Sequence, residues 1–454
     1  MSNKVVIIGG GAAGPKTAAK LRRENPNIKI EMYTQDDIIS YSACGLPYYI
    51  GNVIKEVNTL ILRSPDDFRK QNIEVYTKSR CLKVNPEKQT VLIEDLLSGN
   101  KYEVGYNILV LATGAIPIIP DIENIELKNI FKLRTIHDGI NIKKRIKESK
   151  KAVLVGGGYI SIELLEAFVS NNLTVTLIEK NSQVLKMFDE DFSQMIAEYI
   201  LNKFPNQIKI LTNENIVSFE GNEKGEVKKV ITASGKEIET DIVILGTGIR
   251  PNTDFLVGSG IELGINNSIH VGETMQTSIN NIYAVGDCTD NFNLVTNRRF
   301  WAPMGSTANK EGRCAAINIA GRHCYFDGVM NSTTTKFFNY TISMIGISYK
   351  DAIKYGFQPE SATVTKRDKS GYMPNSGIIT LKLIADKNTH LLLGIQGVGE
   401  GNVNQRINAV IPAMIGKTKL ETFMNLDLPY SPEHSPAIDP VLNAAQIICS
   451  KLKN

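Results

Sequence analysis

Residues 4–14 read KVVIIGGGAAG, an apolar run followed directly by a glycine-rich turn, and this stretch decides the fold. Gly9, Gly11 and Gly14 have the spacing of a dinucleotide-binding fingerprint. In that fingerprint the first glycine allows a tight turn and the second lets the backbone approach a pyrophosphate. The third lets a helix pack closely on a strand. We therefore predict a strand, a helix and a second strand, in that order, up to residue 33.

The position after the second predicted strand departs from the pattern. A carboxylate is expected there, roughly 20 residues beyond the glycines, to hold two ribose hydroxyls. Thr34 occupies this position, and its hydroxyl can still form a hydrogen bond. Gln35 and Asp36 are the alternatives for the same role.

A second fingerprint follows further along the chain, after a predicted strand over residues 152–155. Gly156 and Gly158 occupy its first two positions, and Ser161, which is small enough for close packing, occupies the third. Glu179 has the spacing needed to take both ribose hydroxyls, and its charge would repel a 2′-phosphate. The second unit is therefore predicted to favour NADH over NADPH, and two units in one chain predict two nucleotides in series.

Other segments repeat a strand that ends in a small-residue turn. Residues 106–116 read YNILVLATGAI, residues 241–252 read DIVILGTGIRPN and residues 281–288 read NIYAVGDC. The first two are internal copies of one building block. A helix is predicted over residues 162–171. From about residue 333, segments rich in Val, Ile and Thr alternate with turns and are followed by helices, which predicts a third, α+β domain.

One cysteine lies in an unusual setting. Residues 40–51 read SYSACGLPYYIG, and Cys44 has no second cysteine two or four residues away, so an internal dithiol is not expected. If Cys44 does redox chemistry, its partner is a sulfur from outside the chain or an oxygen. Gly45 and Pro47 predict a rigid loop that exposes the sulfur. Because the thiolate is the reactive form, we predict a site that lowers the pKa of Cys44.

Composition limits the class of protein. With 454 residues the chain is too long for one core, so two or three domains are expected. A net charge of +4 does not indicate nucleic-acid binding, and no apolar run approaches the roughly 18 residues needed to span a bilayer. The 6 cysteines lie without metal-ligand or disulfide-framework spacing, which predicts no metal site and a reducing, cytoplasmic location.

The two fingerprints, the ATG and GTGIRPN segments, NIYAVGDC and the loop ending CGLPYYIG together resemble the pyridine nucleotide-disulfide oxidoreductases, in particular their single-cysteine branch. That branch contains coenzyme A disulfide reductases, NADH oxidases, NADH peroxidases and persulfide reductases. The resemblance implies an α/β fold with two Rossmann-like dinucleotide-binding domains, for FAD and NADH, and a C-terminal α+β dimerisation domain. The implied boundaries are 1–116 with 245–325 for the FAD domain, 117–244 for the NAD domain and 326–454 for the dimerisation domain.

The resemblance also implies which residues form the sites. Cys44 would be the redox-active residue, while Tyr372 and Tyr430 would reach the cysteine of the other subunit of a homodimer and act on the departing thiolate. The implied cofactor-binding residues are Gly9, Gly11, Gly14, Thr34, Thr113, Gly114, Gly286, Asp287, Gly156, Gly158, Tyr159, Glu163 and Glu179. The implied contacts to coenzyme A are Lys16, Lys20 and Arg23, which share one helix face by their spacing, together with Ser40 and Lys310.

Four positions differ from the pattern of these relatives. Ala12 stands where NADH peroxidases carry a histidine, which disfavours that activity. Ala43 stands where an asparagine often precedes the cysteine. Glu433 and His434 follow the segment of Tyr430 where a proline and an aromatic residue are usual.

The function predicted from the sequence is the NADH-dependent, FAD-mediated reduction of a low-molecular-weight disulfide or persulfide through Cys44. Coenzyme A disulfide or persulfide is the preferred substrate. The first alternative is an NADH oxidase that reduces O2 through a Cys44 sulfenate, since both activities need NADH, FAD and one cysteine. The second is a non-catalytic flavin redox sensor or electron-transfer subunit, against which the paired Tyr372 and Tyr430 argue. No nucleic-acid or membrane partner is expected.

Overall fold

Three five-stranded sheets organise the part of the chain that the computed structural model describes, residues 4–453. The strands of its first half are β1 (Lys4–Ile8), β2 (Lys29–Tyr33), β3 (Ile73–Tyr76), β4 (Ser79–Asn85), β5 (Thr90–Asp95), β6 (Lys101–Gly105), β7 (Ile108–Leu111), β8 (Ala115–Pro117), β9 (Ile130–Phe131), β10 (Lys151–Val155), β11 (Thr174–Ile178), β12 (Ile208–Leu211) and β13 (Ile216–Gly221). The second half adds β14 (Val227–Thr232), β15 (Glu237–Glu239), β16 (Ile242–Leu245), β17 (Ile249–Pro251), β18 (Ile282–Ala284), β19 (Asn291–Asn293), β20 (Arg298–Phe300), β21 (Thr333–Phe337), β22 (Tyr340–Gly346), β23 (Pro359–Arg367), β24 (Ile378–Asp386) and β25 (Leu392–Gly399).

The helices of the described chain alternate with these strands. They are α1 (Ala13–Glu24), α2 (Leu46–Ile50), α3 (Pro65–Arg69), α4 (Ile136–Ile146), α5 (Tyr159–Val169), α6 (Glu190–Lys203), α7 (Gly305–Ile319), α8 (Tyr349–Lys354), α9 (Val403–Ile415), α10 (Leu420–Phe423) and α11 (Pro440–Lys453). Within residues 4–453, no helix is long and apolar enough to cross a membrane.

The first sheet is parallel and has the order β18-β7-β1-β2-β3. Strand β1 lies in the middle, which explains why its sequence is a continuous apolar run, buried on both faces. The sheet combines strands from the first 111 residues with β18, so the strands of the second sheet are inserted between them. The domain boundaries at residues 116, 244 and 325 stay predictions, and the outer limits at residues 1 and 454 lie outside the described residues.

The second parallel sheet has the order β12-β11-β10-β16-β9 and repeats the winding of the first around its central strand β10. The register next to each glycine turn is the same, because Ile8 pairs with Tyr33 and Val155 pairs with Ile178. Thr34 and Glu179 therefore follow their strands at equivalent positions, at the carboxyl edge where α/β sheets bind ligands.

The third sheet is antiparallel, with the order β21-β22-β25-β24-β23, and α9 and α11 pack on it. The face of this sheet that packs on α9 and α11 has an apolar core of its own, whereas Phe337, Ile342, Met344 and Val398 join the core of the second parallel sheet. The predicted fold class, two Rossmann-like units and a C-terminal α+β unit, is confirmed.

Two element boundaries differ from those predicted. The strand predicted to start at residue 106 and end at Thr113 and Gly114 is shorter, Ile108–Leu111 (β7), and a further short strand, β8, follows the turn in which Gly114 has a φ of 67°. The helix predicted over residues 162–171 begins at Tyr159, because the chain turns into a helix directly after Gly158. Tyr159 therefore lies in the first turn of α5.

Candidate active site

Cys44 lies in a short 3₁₀ turn, Ala43–Gly45, immediately before α2. The loop is fixed on both sides, since Ser42 N–H donates to Leu60 O at 2.9 Å and Leu62 N–H donates to Ser40 O at 2.8 Å. Leu46 at the start of α2 is buried and anchors the turn. Cys44 is an exposed residue, as the rigid loop predicts, although its side chain is partly buried.

The groups around Cys44 do not lower its pKa as predicted. Partial burial of the side chain raises the pKa of the Cys44 thiol, and the negative charges of Glu163 and Asp287 raise it further. Arg134 is the cation that opposes them. The prediction of a lowered pKa is therefore wrong, because burial of the side chain, followed by the two nearby carboxylates, outweighs the effect of Arg134.

Arg134 is a site residue that the sequence reasoning missed. Its Nη2 lies 3.9 Å from Asp287 Oδ2, and a Cβ placed on Gly114 would lie 3.1 Å from the same nitrogen. The Arg134 charge counteracts the effect of burial on Asp287, whose pKa is nevertheless raised. Nothing in the local sequence signals this arginine, since it joins the site only through the fold.

Glu311 on α7 was also missed, although a signal exists. It is the only acidic residue of α7, and it is completely buried. Its Oε2 accepts hydrogen bonds from Gly286 N–H at 2.5 Å and Thr289 Oγ1 at 3.3 Å, whereas Oε1 has no partner among residues 4–453. Burial raises the pKa of Glu311 to about 7. Glu311 therefore supports the turn that carries Asp287.

The first glycine turn has a closed inner side and an open outer side. A Cβ on Gly14 would overlap the carbonyl oxygen of Gly9, and a Cβ on Gly9, whose φ is 121°, would overlap that of Ala112. No atom of the described chain lies within 4 Å of a Cβ placed on Gly11. Nor does any side chain of residues 4–453 cap the start of α1. Free backbone donors beside open space fit the pyrophosphate of FAD.

Thr34 is buried next to the first turn. A Cβ on Gly10 would lie 3.0 Å from Thr34 Oγ1, and that oxygen accepts a hydrogen bond from Asp36 N–H at 3.4 Å. Gln35 is exposed, while Asp36 is partly buried and its pKa is raised by that burial.

The second turn is built alike but carries a carboxylate. Glu179 is buried, and its two oxygens accept hydrogen bonds from Gly157 N–H at 2.6 Å and Asn181 N–H at 2.7 Å. No described atom lies within 4 Å of a Cβ placed on Gly158. The acid is thus fixed at the edge of an open turn, which fits the adenosine ribose of NADH.

Two residues of α5 connect the second unit to the C-terminal sheet. Tyr159 OH and Thr333 Oγ1 are 2.5 Å apart, and burial raises the pKa of Tyr159 to about 12. Glu163 Oε1 accepts a hydrogen bond from Thr335 Oγ1 at 2.9 Å, and burial raises the pKa of Glu163. The nearby Lys336 pairs with Glu166 and not with Glu163, since its Nζ lies 3.9 Å from Glu166 Oε1.

The residues predicted to contact coenzyme A differ in whether an acidic residue pairs with them. Lys20 forms an ion pair with Glu24, which also pairs with Arg322 at 2.7 Å, so its charge is locally balanced. Lys16 lies where α7 packs on α1, and Lys310 is exposed on the same part of α7. The remaining members are Ser40, whose N–H donates to Gly10 O at 2.8 Å, and Arg23, which is exposed on α1.

Tyr372 and Tyr430 lie on two loops of the C-terminal unit. Both side chains are largely exposed, at 75% and 54%. The loops are joined by a hydrogen bond from Ser370 N–H to Pro432 O at 3.1 Å. His434 is also exposed. Elsewhere, no cluster of three or more His, Cys, Asp or Glu side chains among residues 4–453 is arranged to hold a metal ion.

Comparison with known proteins identifies the class. Residues 3–301 match the family model described as pyridine nucleotide-disulphide oxidoreductase, and residues 332–441 match the dimerisation domain of the same class. The chain belongs to the pyridine nucleotide-disulphide oxidoreductases. This confirms the predicted family and enzyme class, an FAD-dependent NAD(P)H oxidoreductase, and the predicted pairing of FAD with a nicotinamide nucleotide.

Individual relatives resemble the chain over its whole length. It is 33% identical to an NAD(P)H sulfur oxidoreductase (CoA-dependent) from Pyrococcus abyssi, with 98% of each chain covered. It is 34% identical to an NADH oxidase from Methanocaldococcus jannaschii, with 99% of this chain and 100% of that one covered. The solved structure of an NAD-dependent persulfide reductase from A. fulgidus superposes with a TM-score of 0.95 at 33% identity, covering 99% of this chain and 84% of that one. Both the predicted reductase function and the oxidase alternative therefore occur among the named relatives.

Proposed function

We propose that the protein uses NADH to reduce a low-molecular-weight disulfide or persulfide, with the coenzyme A disulfide or persulfide as its substrate. The observation that carries this proposal is the single exposed thiol of Cys44, held in a fixed loop where the charges of Asp287 and Arg134 both act on it. In this family, bound FAD and NADH supply the two electrons that return an oxidised cysteine to the thiol.

The residues of the chain supply binding and proton transfer. The Cys44 thiolate attacks one sulfur of the disulfide, which forms a mixed disulfide and releases one thiolate. Two electrons then regenerate Cys44 and release the second thiolate. Arg134 is the cation placed to favour the thiolate form of Cys44 against the opposing charges. Tyr372 and Tyr430 of a second copy protonate the departing thiolates.

The substrate class rests on the basic residues around the first turn. Arg23 and Lys310 are exposed and Lys16 is partly exposed, and Ser40 lies in the loop that also carries Cys44. Coenzyme A is a polyanion, so these cations match its phosphates. Lys20 contributes less, because Glu24 neutralises it.

A homodimer in the cytoplasm follows from the same proposal. The exposed Tyr372 and Tyr430 lie on a unit that matches a dimerisation domain, which supports their acting on a second copy. Six free cysteines fit a reducing compartment. The carboxylate of Glu179 supports the preference for NADH over NADPH.

The second candidate is an NADH oxidase. The relative of that name from Methanocaldococcus jannaschii matches the full length of the chain, and Ala43 leaves no asparagine beside the cysteine. In that case a sulfenate on Cys44 would form during reduction of O2.

A steady-state comparison separates the two functions. The holoenzyme is assayed with NADH and, in turn, coenzyme A disulfide, polysulfide and O2, beside the variants C44S and C81S. We expect disulfide or polysulfide to be reduced at least tenfold faster than O2, and C44S but not C81S to lose this turnover. Mass spectrometry of protein purified without reductant should show a thiol adduct on Cys44. Rapid O2 consumption with a sulfenate and no adduct would establish the oxidase.

A further inference from the structure

Arg406 on α9 is a large charged side chain buried inside the C-terminal unit, with 2% of its surface exposed. Burial of an arginine is costly unless its donors are paired and its charge is balanced. The partners of Arg406 show which parts of the chain it connects.

The guanidinium group of Arg406 contacts both loops that carry the exposed tyrosines. Nη2 donates to Asp368 O at 2.6 Å, at the base of the loop of Tyr372. The same nitrogen donates to His434 O at 3.1 Å, in the loop of Tyr430. Nε pairs with Asp439 Oδ2 at 3.2 Å, and the remaining bonds, from Nη1, go to Asn402 O at 3.3 Å and Gln405 Oε1 at 3.4 Å.

Asp368 closes the first of these loops. Its Oδ1 accepts from Gly377 N–H at 2.8 Å, and its own N–H donates to Gly377 O at 2.9 Å. Its Oδ2 accepts from Asn402 N–H at 3.0 Å, immediately before α9. Residues 368–377 therefore form a loop that is closed at its base and attached to the helix of Arg406.

The second loop is held at its far end. Asp439 pairs with Arg406 through Oδ2, and its Oδ1 accepts from Val441 N–H at 3.0 Å at the start of α11. The hydrogen bond between Ser370 and Pro432 joins the two loops beyond the arginine. One planar fork with several donors thus sets the spacing between the two loops, which a lysine cannot reproduce.

We infer that Arg406 is a positioning residue, which holds the loops of Tyr372 and Tyr430 so that both phenols act at one point. This inference rests on the proposed function, in which those tyrosines serve the cysteine site of a second copy. Both tyrosine side chains are largely exposed, whereas Asp368 at the base of the first loop is buried, so the relative placement of the tyrosines depends on how the bases of their loops are held. Arg406 touches neither substrate nor cofactor in this role.

The test uses R406K, which keeps the charge but not the fork, in the full-length holoenzyme. The matched control is K382M, because Lys382 is a buried cation on β24 of the same C-terminal unit, and its partners, Asp189 and Asp191, lie outside both loops. We expect R406K to lose at least tenfold in disulfide turnover with FAD content and dimer unchanged, and K382M to keep its turnover. In a Y372F/Y430F background, R406K should cause no further loss.

A second readout does not depend on activity. The protein is labelled with 3-fluorotyrosine, and the fluorine resonances of Tyr372 and Tyr430 are assigned from the two phenylalanine variants. R406K should shift or broaden both resonances, and K382M should leave them in place. Unmoved resonances, or an undiminished loss of turnover in the Y372F/Y430F background, would overturn the inference.

The two readouts also separate this inference from the proposed function. A wild-type enzyme that reduces no disulfide contradicts the proposed function, while the fluorine spectra still decide whether Arg406 positions the loops. If R406K does not fold, D439N replaces it, since asparagine can still cap α11 but no longer pairs with the Nε charge. The same shift of both resonances is then expected.

Discussion

The two glycine turns of this protein are built on the same strand register but solve close packing in opposite ways. In the first turn the helix contributes Gly14 and the neighbouring strand end contributes Ala112, whose Cβ would be 3.4 Å from a Cβ on Gly14. In the second turn the helix contributes Ser161 and the strand end contributes Gly246, where an added Cβ would lie 2.5 Å from Ser161 Oγ. The topology fixes the available space, and either partner can supply the small residue.

The two units also differ in which part of the chain supplies the buried carboxylate near the turn. The second turn carries Glu179 directly after its strand, bonded to the turn. The first has Thr34 at the equivalent position, and its completely buried acid, Glu311, comes from α7, far along the chain. Glu311 bonds to the turn at Gly286 rather than to the glycine turn. Equivalent positions therefore do not imply equivalent chemistry, and the difference can be tested residue by residue.

The largest effect is expected from G14S, which places the serine of the second turn at the equivalent position of the first turn. In G14S the new Cβ would overlap the Gly9 carbonyl, which neither the strand nor the helix can move aside. We expect the purified variant to lose FAD completely, as judged by its visible absorbance spectrum.

The control for this comparison is S161A, which retains the small volume that the second turn requires. It should keep a full complement of FAD and a circular dichroism spectrum like that of the wild type. FAD retained at full stoichiometry by G14S would show that the first turn is not packed as described.

The second prediction concerns Glu311, whose titration should make the free energy of unfolding depend on pH. The pKa of Glu311 is raised to about 7, whereas the ordinary value is 4.5. Between these values the native state keeps a proton that the unfolded chain has released, so the free energy of unfolding falls as pH rises through this window and is level above it. The loss is on the order of 3 kcal/mol.

E311Q removes the titrating group and nearly conserves its shape. The difference in Tm between E311Q and the wild type should therefore grow in favour of the variant from pH 5 to pH 7 and then stay constant. The measurement is a series of thermal scans of the holoenzymes across this range. A difference that does not change with pH would mean that Glu311 does not hold a proton in the native state.

These two sites also show what could be predicted from the sequence. Gly9, Gly11, Gly14 and the second fingerprint follow from spacing, because a tight turn and close packing leave few alternatives to glycine. Cys44 could be picked out because its loop sequence is local. Arg134 and Arg406 could not be assigned in that way, since each acts on residues far away in the sequence and only the fold brings them together. Glu311 could be noticed as the only acid of α7, but its bond to Gly286 also depends on the fold.

The prediction of a lowered pKa for Cys44 was wrong for the same reason, because it used only the local sequence. Its loop sequence predicts exposure, which depends on the nearby residues Gly45 and Pro47. Its pKa is raised first by burial and then by the charges of Glu163 and Asp287, which belong to other parts of the chain. Local sequence can therefore predict the conformation of a reactive loop without predicting its electrostatics.

The third prediction tests the packing of the second turn directly. G246A should lower the free energy of unfolding by about 1 to 3 kcal/mol, because the new methyl group presses on Ser161 Oγ. The double variant S161G/G246A converts the pair to the arrangement of the first turn and should recover most of that loss. Chemical denaturation monitored by the fluorescence of the single tryptophan, Trp301, and by circular dichroism measures both. Equal losses in G246A and in the double variant would contradict the compensation.

The smallest effect is expected from removing the charge of the acid in the second turn. E179Q keeps an oxygen that accepts from Gly157 N–H, so the turn should stay in place, but the charge-assisted bonds to a ribose are weakened. We expect kcat/KM for NADH to fall about tenfold, which corresponds to about 1.4 kcal/mol, while kcat/KM for NADPH stays level or rises because the repulsion of its 2′-phosphate is relieved. The mirror variant T34E should leave this preference unchanged, since it alters the other unit. Stopped-flow flavin reduction with each nucleotide measures both variants, and an equal fall for NADH and NADPH in E179Q would assign Glu179 to holding the turn rather than to choosing the nucleotide.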